Sequence, residues 1–219
     1  MGTGFSYGEP LLTSMEEATT EFMTFMHNLW NAFPELQDKD LYVTGESYAG
    51  KYIPRYSWEI FNDDFFNLKA SLIGDPYTAP LTQRTHMHIV PEALNILDDS
   101  NMPQMAALRK NCQEMLAKDL AQADETCAAI MDYIVNVSGD VFPYDQRIFS
   151  VDWDPIEDPV TNYFSIQPEP TMSEIYNAIG VGNSSKTPVF EMGSSAVGEA
   201  FVMDNLLDYS NYVEKLIQN

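Results

Sequence analysis

The sequence predicts an α/β protein with a parallel sheet. An amphipathic helix begins near Ser14, carries apolar residues at spacings of three and four, and ends at Pro34. Residues 41–44 are aromatic, apolar or β-branched, which suits a buried strand, and a helix to about Phe61 follows. Residues 68–73 form a second candidate strand. Strand, helix and strand in this order predict two parallel strands joined by a right-handed crossover.

The two helices of this unit should each cover the sheet with an apolar face. Ser14 and Glu17 form a capping box at the start of the first helix. Its apolar side is predicted to contain Phe22, Phe25, Met26, Leu29, Trp30 and Phe33. Pro54 should kink or tighten the second helix, because proline lacks the N–H that a helix uses. The buried side of that helix is predicted to contain Tyr52, Ile53, Tyr56 and Ile60.

The pattern changes from about Pro80 onward. The sequence then predicts two helices over residues 101–134, Pro-rich irregular sequence over 143–170, a helix from a capping box at Thr171 to Gly180, and a last amphipathic segment over 203–217.

Composition limits the partners of this chain. Its 219 residues are 45% hydrophobic, enough for one domain with a sizeable core. Lys and Arg number 11 against 33 Asp and Glu, for a net charge of −22. Such a charge argues against nucleic acid and anionic membranes as partners. No apolar run approaches the ~18 residues of a membrane span.

The turn between the first strand and the second helix has the shape of a nucleophile elbow. Gly45 and Ala49 flank Ser47 at two residues on either side. Small residues are needed there because the strand and the helix nearly touch, and the turn lifts the serine hydroxyl clear of the sheet. The helix start behind Ser47 offers N–H groups to a developing oxyanion. The alternative is an ordinary strand-to-helix turn built from small residues.

The sequence around this serine resembles that of a known family. Residues 45–54 resemble the serine segment of the serine carboxypeptidases, and residues 2–7 resemble a second signature of that family upstream. Looser similarity continues through residues 73–76, 141–147 and 178–181. The segment Gly74-Asp75-Pro76 departs from the family's usual Gly-Asn-Gly.

The resemblance implies a partial α/β-hydrolase fold with a helical insertion. On this basis residues 1–79 form the core with the elbow, residues 80–165 the mainly helical insertion, and residues 166–219 a return to the core. Ser47 would be the nucleophile, and the backbone N–H of Tyr48 an oxyanion donor. Glu46 would bind the C-terminal carboxylate of a peptide or protein substrate. No cofactor or metal is expected.

The remaining parts of a triad are not found in the sequence. Of the three histidines, His27 precedes Ser47 and is expected at the surface, while His86 and His88 have no neighbouring cluster of acidic or Cys ligands for a metal. None occupies the family's place for the base. In the family, the acid and the histidine come from strands that would follow residue 219, and the second oxyanion donor lies upstream of Met1. We therefore expect a fragment that is inactive and poorly folded by itself.

The two cysteines and two sequons fit the family's setting. Cys112 and Cys127 lie on successive predicted helices, and a structural disulfide is favoured over a metal or redox site. Asn136 and Asn183 begin glycosylation sequons. Members are typically secreted, lysosomal or vacuolar, so the missing signal peptide indicates truncation at the N-terminus. The sequence does not indicate an oligomeric state.

Two other functions remain open. The first is an acyltransferase on the same scaffold, in which an alcohol replaces the water that hydrolyses the acyl-enzyme. The second is a non-catalytic lumenal protein that keeps the elbow and binds a ligand.

Overall fold

A computed structural model describes residues 2–150, 171–181, 190 and 193–219. The elements follow in chain order: α1 (Met15–Ala32), a 3₁₀ turn (Pro34–Leu36), β1 (Leu41–Glu46), α2 (Ala49–Phe61), β2 (Leu68–Gly74), α3 (Pro80–Thr85), α4 (Ile89–Ala93), α5 (Met102–Lys118), α6 (Leu120–Val137), α7 (Thr171–Ala178), α8 (Ser195–Ala200), α9 (Val202–Asn205) and α10 (Ser210–Gln218). The predicted α/β class is confirmed.

The two strands form a parallel pair with one covered face. Their register runs from Leu41 opposite Leu68 to Glu46 opposite Gly74. A core cluster from α1, α2 and the following turn packs against the covered face and contains Met26, Trp30, Ile60 and Phe66. Tyr42 and Leu72 are 57% and 54% exposed. These two side chains lie on the opposite face of the pair, for which the prediction of a buried strand is wrong. Side chains alternate between the two faces along a strand, and the described helices cover one face only.

Helix α1 begins where the sequence predicts. The Ser14 hydroxyl accepts a hydrogen bond from the Glu17 N–H at 3.3 Å. The Glu17 carboxylate accepts from the N–H of Thr13 at 2.7 Å instead of returning to Ser14, so half of the capping box forms. Met26 and Trp30 are buried, but Phe25 and Phe33 are 56% and 49% exposed, and their predicted places in the buried stripe are wrong.

Pro54 lies inside α2 without ending it. A proline at this position leaves the carbonyl of Gly50 without its helical donor. The Thr78 hydroxyl donates a hydrogen bond to that carbonyl at 2.8 Å. The loop after β2 therefore supplies the bond that the proline removes, and the helix continues from Ala49 to Phe61.

The two long helices α5 and α6 form a hairpin closed by a disulfide. Cys112 and Cys127 are bonded, with their Cα atoms 4.7 Å apart, as the sequence predicts. Both lie in a buried cluster that also contains Leu97, Met105, Ile130 and Ile134. Arg84 joins α3 to this hairpin through an ion pair with Asp124.

The C-terminal elements depart from the predicted pattern at one point. Helix α7 ends as predicted: Gly180 has φ +76°, and the Val181 N–H donates to the Tyr176 carbonyl at 3.0 Å, the bond of a Schellman motif. The single segment predicted over 203–217 is wrong, because α9 and α10 are separate and the Tyr209 N–H donates to the Thr78 carbonyl at 3.0 Å. No described helix is long and apolar enough to cross a membrane.

Candidate active site

Ser47 occupies a strained turn between β1 and α2. Its φ is +56°, in the left-handed region that residues other than glycine seldom adopt. A Cβ added at Gly45 would lie 2.5 Å from the Cβ of Ala49 and 3.1 Å from Cγ1 of Ile53. The strand and the helix therefore touch, as the Gly-x-Ser-x-Ala spacing predicts, and only a glycine fits at position 45.

The backbone around Ser47 is held by the end of β2 and the loop after it. The Ser47 N–H donates to the Gly74 carbonyl at 3.0 Å, and the Ser47 carbonyl accepts from the Tyr77 N–H at 2.8 Å. Asp75 turns the chain between these two contacts with φ +42°. A Cβ added at Gly50 would lie 2.5 Å from the Tyr77 nitrogen. Glycine at position 50 thus permits the loop to approach the helix.

A cavity of about 400 Å³ opens beside Ser47. It is lined by Ser47, Tyr48, Tyr77, Gln83, Arg84, Met87 and Asn205. Ser47 is exposed, and no described residue forms a hydrogen bond with its Oγ. Among the described lining residues there is neither a histidine nor a carboxylate, so this wall supplies no proton acceptor for Ser47.

Tyr48 presents its backbone at the start of α2. No described residue accepts a hydrogen bond from its N–H, which leaves that donor available to a ligand. Its hydroxyl is buried and also has no described partner. Burial, with smaller contributions from Tyr52 and Asp204, raises the pKa of the Tyr48 phenol, which therefore stays protonated.

The three histidines serve other parts of the fold. His27 is half-buried rather than simply solvated: its Nε2 lies 2.8 Å from Oδ2 of Asp63, and its ring packs against Phe65. His86 bonds to the Thr82 carbonyl through Nδ1 at 2.7 Å. His88 is buried, and burial followed by the charge of Arg109 lowers its pKa. The described residues contain no group of three or more acidic, Cys or His side chains that could hold a metal.

Lys51 is the residue of this site that the sequence reasoning missed. It is fully buried, and its Nζ donates hydrogen bonds to the carbonyls of Asp204 and Leu207, both at 2.8 Å. The rings of Tyr209, Tyr77 and Tyr48 surround the ammonium, with centroids 4.9, 5.6 and 5.8 Å away. No sequence signal marked it, because Arg55 and Glu59 follow Lys51 at helical spacing and the three together are typical of a charged, solvent-exposed stripe.

Lys51 also positions a residue of the cavity. The two carbonyls that it binds belong to residues on either side of Asn205, so Lys51 fixes the backbone that presents Asn205 beside Ser47. The Asp204 carboxylate helps from the same segment, since its Oδ1 accepts from the Met15 N–H at 3.0 Å and from the Tyr209 hydroxyl at 2.9 Å. The cavity therefore includes a residue from the C-terminal part of the chain.

A model of the serine carboxypeptidase family matches residues 1–177. The chain belongs to the serine carboxypeptidase family. A probable serine carboxypeptidase of Dictyostelium discoideum is 30% identical over 161 residues, which cover 67% of this chain and 32% of that protein. A pheromone-processing carboxypeptidase of Ogataea parapolymorpha is 36% identical over 121 residues, or 52% of this chain and 20% of that protein.

The fold of this family member also matches a solved structure. A prohormone-processing carboxypeptidase from Saccharomyces cerevisiae superposes with a TM-score of 0.75 at 22% identity, covering 95% of this chain and 48% of that one. The likeness confirms the predicted α/β-hydrolase type of fold. The chain thus spans about a third or less of the two curated relatives and about half of the solved structure.

Glu46 and the two sequon asparagines are the remaining expected site residues of this serine carboxypeptidase family member. Glu46 is exposed at the end of β1, directly before Ser47, and does not line the cavity. Asn136 is exposed near the end of α6, so its sequon is open to solvent. Asn183 lies outside the described residues.

Proposed function

We propose that this chain carries the nucleophile of a serine-type carboxypeptidase, which releases the last residue of peptides through an acyl-enzyme on Ser47. One observation carries the proposal: Ser47 sits at positive φ on a strand-to-helix turn too tight for larger residues, with its hydroxyl exposed beside a cavity. Membership in the serine carboxypeptidase family supports the same reaction.

The chemistry follows from the positions of these groups. Ser47 Oγ would attack the carbonyl before the last residue, and the Tyr48 N–H would stabilise the oxyanion that forms. The C–N bond then breaks, and the last residue leaves as an amine that takes up a proton. Water hydrolyses the remaining ester. The proton acceptor for Ser47 is the component that the described lining residues do not supply.

Glu46 is proposed to recognise the free carboxylate of the substrate. It immediately precedes the nucleophile and its side chain is exposed. Two carboxyl groups share a hydrogen bond only when one of them is protonated, which favours activity at acidic pH. Substrates are therefore proposed to be peptides or proteins with a free C-terminus.

The same proposal includes the organisation and setting of the protein. Residues 1–79 and 166–219 would form the core, and residues 80–165 an insertion, for which helices α3 to α6 are the support. A secreted, lysosomal or vacuolar location is supported by the disulfide, since such bonds persist in oxidising compartments.

The test is labelling with a fluorophosphonate, which reacts with activated serines. The protein purified from its native source should be labelled at Ser47, and it should release the last residue of a free-acid peptide but not of the matching C-terminal amide. Ser47→Ala should abolish both signals. Ser195→Ala is the matched control, because Ser195 is an exposed serine in α8 and should leave both unchanged. Release that persists in Ser47→Ala would overturn the proposal.

One alternative has an observation in its favour. The described wall of the cavity has neither a histidine nor a carboxylate, as in a binding protein that keeps the elbow without catalysis. An unlabelled Ser47 in a protein that still binds free-acid peptides would support that alternative.

A further inference from the structure

We propose that the cavity beside Ser47 selects substrates whose residue on the acyl side of the scissile bond is glutamate or glutamine. This inference rests on the proposed function, and it concerns two polar lining residues, Arg84 and Asn205, that the reaction itself does not use. Their unused hydrogen-bond donors favour a substrate side chain that ends in an accepting oxygen.

Arg84 is fixed in place from two sides. Its Nε donates to the Tyr77 hydroxyl at 3.1 Å, and its Nη2 forms the ion pair with Asp124. The guanidinium also lies 5.5 Å from the centroid of the Tyr77 ring. A guanidinium has five N–H donors in a rigid fork, so N–H groups remain that no described residue uses. Arg84 is thus a preorganised donor rather than a mobile surface charge.

Asn205 supplies a second polar group from another part of the chain. It is half-buried, it lines the cavity, and no described residue forms a hydrogen bond with its carboxamide. Gln83 shows the contrast: its Oε1 accepts from the N–H groups of Thr78 and Ala79, and its Nε2 donates to the Pro76 carbonyl. Gln83 holds the loop after β2, whereas none of the described residues uses the amide of Asn205, which faces the cavity lining.

The remaining walls suit the stem of such a side chain. The rings of Tyr48 and Tyr77 and the side chain of Met87 form an apolar surface beside the two donors. Glutamate and glutamine combine two methylenes with an accepting oxygen, whereas leucine offers no acceptor to either donor. A lysine ammonium has donors only and cannot accept from the remaining N–H groups of Arg84.

The position of Glu46 assigns the cavity to the acyl side. Glu46, the proposed partner of the substrate's C-terminal carboxylate, does not line the cavity. The leaving residue is therefore expected at Glu46, and the cavity is left for the side chain that precedes the scissile bond. Its lining comes from Tyr48, from the segment between Tyr77 and Met87 that contains α3, and from Asn205 of α9.

The experiment compares four peptides that differ only at the residue before the last one: glutamate, glutamine, leucine or lysine. With the native protein, kcat/KM for glutamate and glutamine should exceed the values for leucine and lysine by ~10- to 100-fold, as expected for hydrogen bonds to a charged donor. A ratio near one, or a preference for leucine or lysine with release still dependent on Ser47, would overturn the inference while leaving the proposed function intact.

Three variants locate the cause. Arg84→Leu should reduce the glutamate-to-leucine ratio by ~10-fold or more. If this variant does not melt cooperatively, Asn205→Leu carries the test, because no described residue bonds to its amide; it should reduce the same ratio by ~3-fold or more. Arg147→Leu is the matched control: Arg147 also pairs with an aspartate, Asp145, but is exposed and outside the cavity, and the ratio should not change. An unchanged ratio in folded Arg84→Leu and Asn205→Leu would contradict the assignment.

Binding to the inactive Ser47→Ala variant separates the two proposals. Calorimetry with the same four peptides should give the same order of affinities without turnover. Preferential binding of the glutamate peptide, together with no release by the native protein, would refute the proposed reaction and support the assigned cavity. Equal affinities for all four peptides would refute the cavity assignment.

Discussion

Substitution of Lys51 should change how the stability of the fold depends on pH. Lys51 is fully buried, and burial lowers its pKa from 10.5 to about 8, although the nearby charges of Asp204 and Asp208 oppose this shift. The unfolded chain therefore binds more protons than the folded chain between pH 8 and 10.5. The contribution of Lys51 to the free energy of unfolding must therefore rise with pH across this window, and it is lowest below pH 8.

The magnitude follows from the two pKa values. Between pH 7 and pH 9.5 the contribution of Lys51 should increase the free energy of unfolding by about 2 kcal/mol. The buried tyrosines act in the opposite direction as the pH approaches 10, by about 0.2 kcal/mol each at pH 9.5, because loss of a proton then favours the unfolded chain. Burial raises the pKa values of five phenols, those of Tyr48, Tyr52, Tyr56, Tyr77 and Tyr209. The contribution of Lys51 is therefore isolated by comparing the native protein with a Lys51 variant at each pH, since both contain the same tyrosines.

Lys51→Met is the informative substitution, because methionine keeps much of the side-chain volume without the charge. At neutral pH the variant loses two hydrogen bonds and leaves the carbonyls of Asp204 and Leu207 unpaired, at ~1–3 kcal/mol each. It also removes a penalty of ~3 kcal/mol for burying the ammonium. Because these terms oppose each other, the slope with pH is a sharper readout than stability at one pH.

The assay is urea unfolding at pH 7, 8, 9 and 9.5, with circular dichroism as the signal from which the free energy of unfolding is obtained. Relative to Lys51→Met, the native protein should gain about 2 kcal/mol over this range. Lys118→Met provides the control, since Lys118 ends α5 at an exposed position and should keep the full slope. An equal slope in the native protein and Lys51→Met would refute the assignment of Lys51 as a buried cation with a lowered pKa.

Other substitutions test other parts of the molecule. Gly50→Ala should destabilise the fold by ~1–3 kcal/mol, because the added methyl meets the Tyr77 nitrogen, while Gly198→Ala in open space should be neutral or stabilising in thermal melts; equal effects would contradict the close approach. Mass spectrometry of non-reduced peptides should find Cys112 bonded to Cys127, and replacing both with serine should cost ~3 kcal/mol in urea unfolding; free thiols would contradict the pairing. Glu46→Gln should keep the preference for a free-acid peptide over its amide but remove its dependence on acidic pH, because the glutamine amide donates without first taking up a proton; a preference that stays confined to acidic pH would remove Glu46 from recognition.

The sequence by itself determined the local features that depend on neighbours along the chain. The elbow is one, because Gly45 and Ala49 are required by a contact only four residues long. The end of α7 is another, since Gly180 can adopt positive φ without steric penalty. The pairing of Cys112 with Cys127 follows likewise from two adjacent helices of predictable length.

Other features depended on partners distant in the chain. The uninterrupted helix at Pro54 depends on the Thr78 hydroxyl, which bonds to a carbonyl that the proline leaves free. The exposure of Phe25 depends on which face of α1 contacts the sheet. Helical spacing predicts that α1 has an apolar face, but it does not predict which residues at the boundary of that face are buried.

Only the tertiary structure decided how the C-terminal segment reaches the site. The apolar spacing over residues 203–217 suits one helix. The Lys51 ammonium instead binds the carbonyls of Asp204 and Leu207, and the helical conformation is interrupted between α9 and α10. Such bonds form because a buried charge needs hydrogen-bond acceptors wherever the fold can provide them. The break presents Asn205 beside Ser47, 158 positions earlier in the chain, a juxtaposition that no local pattern of residues encodes.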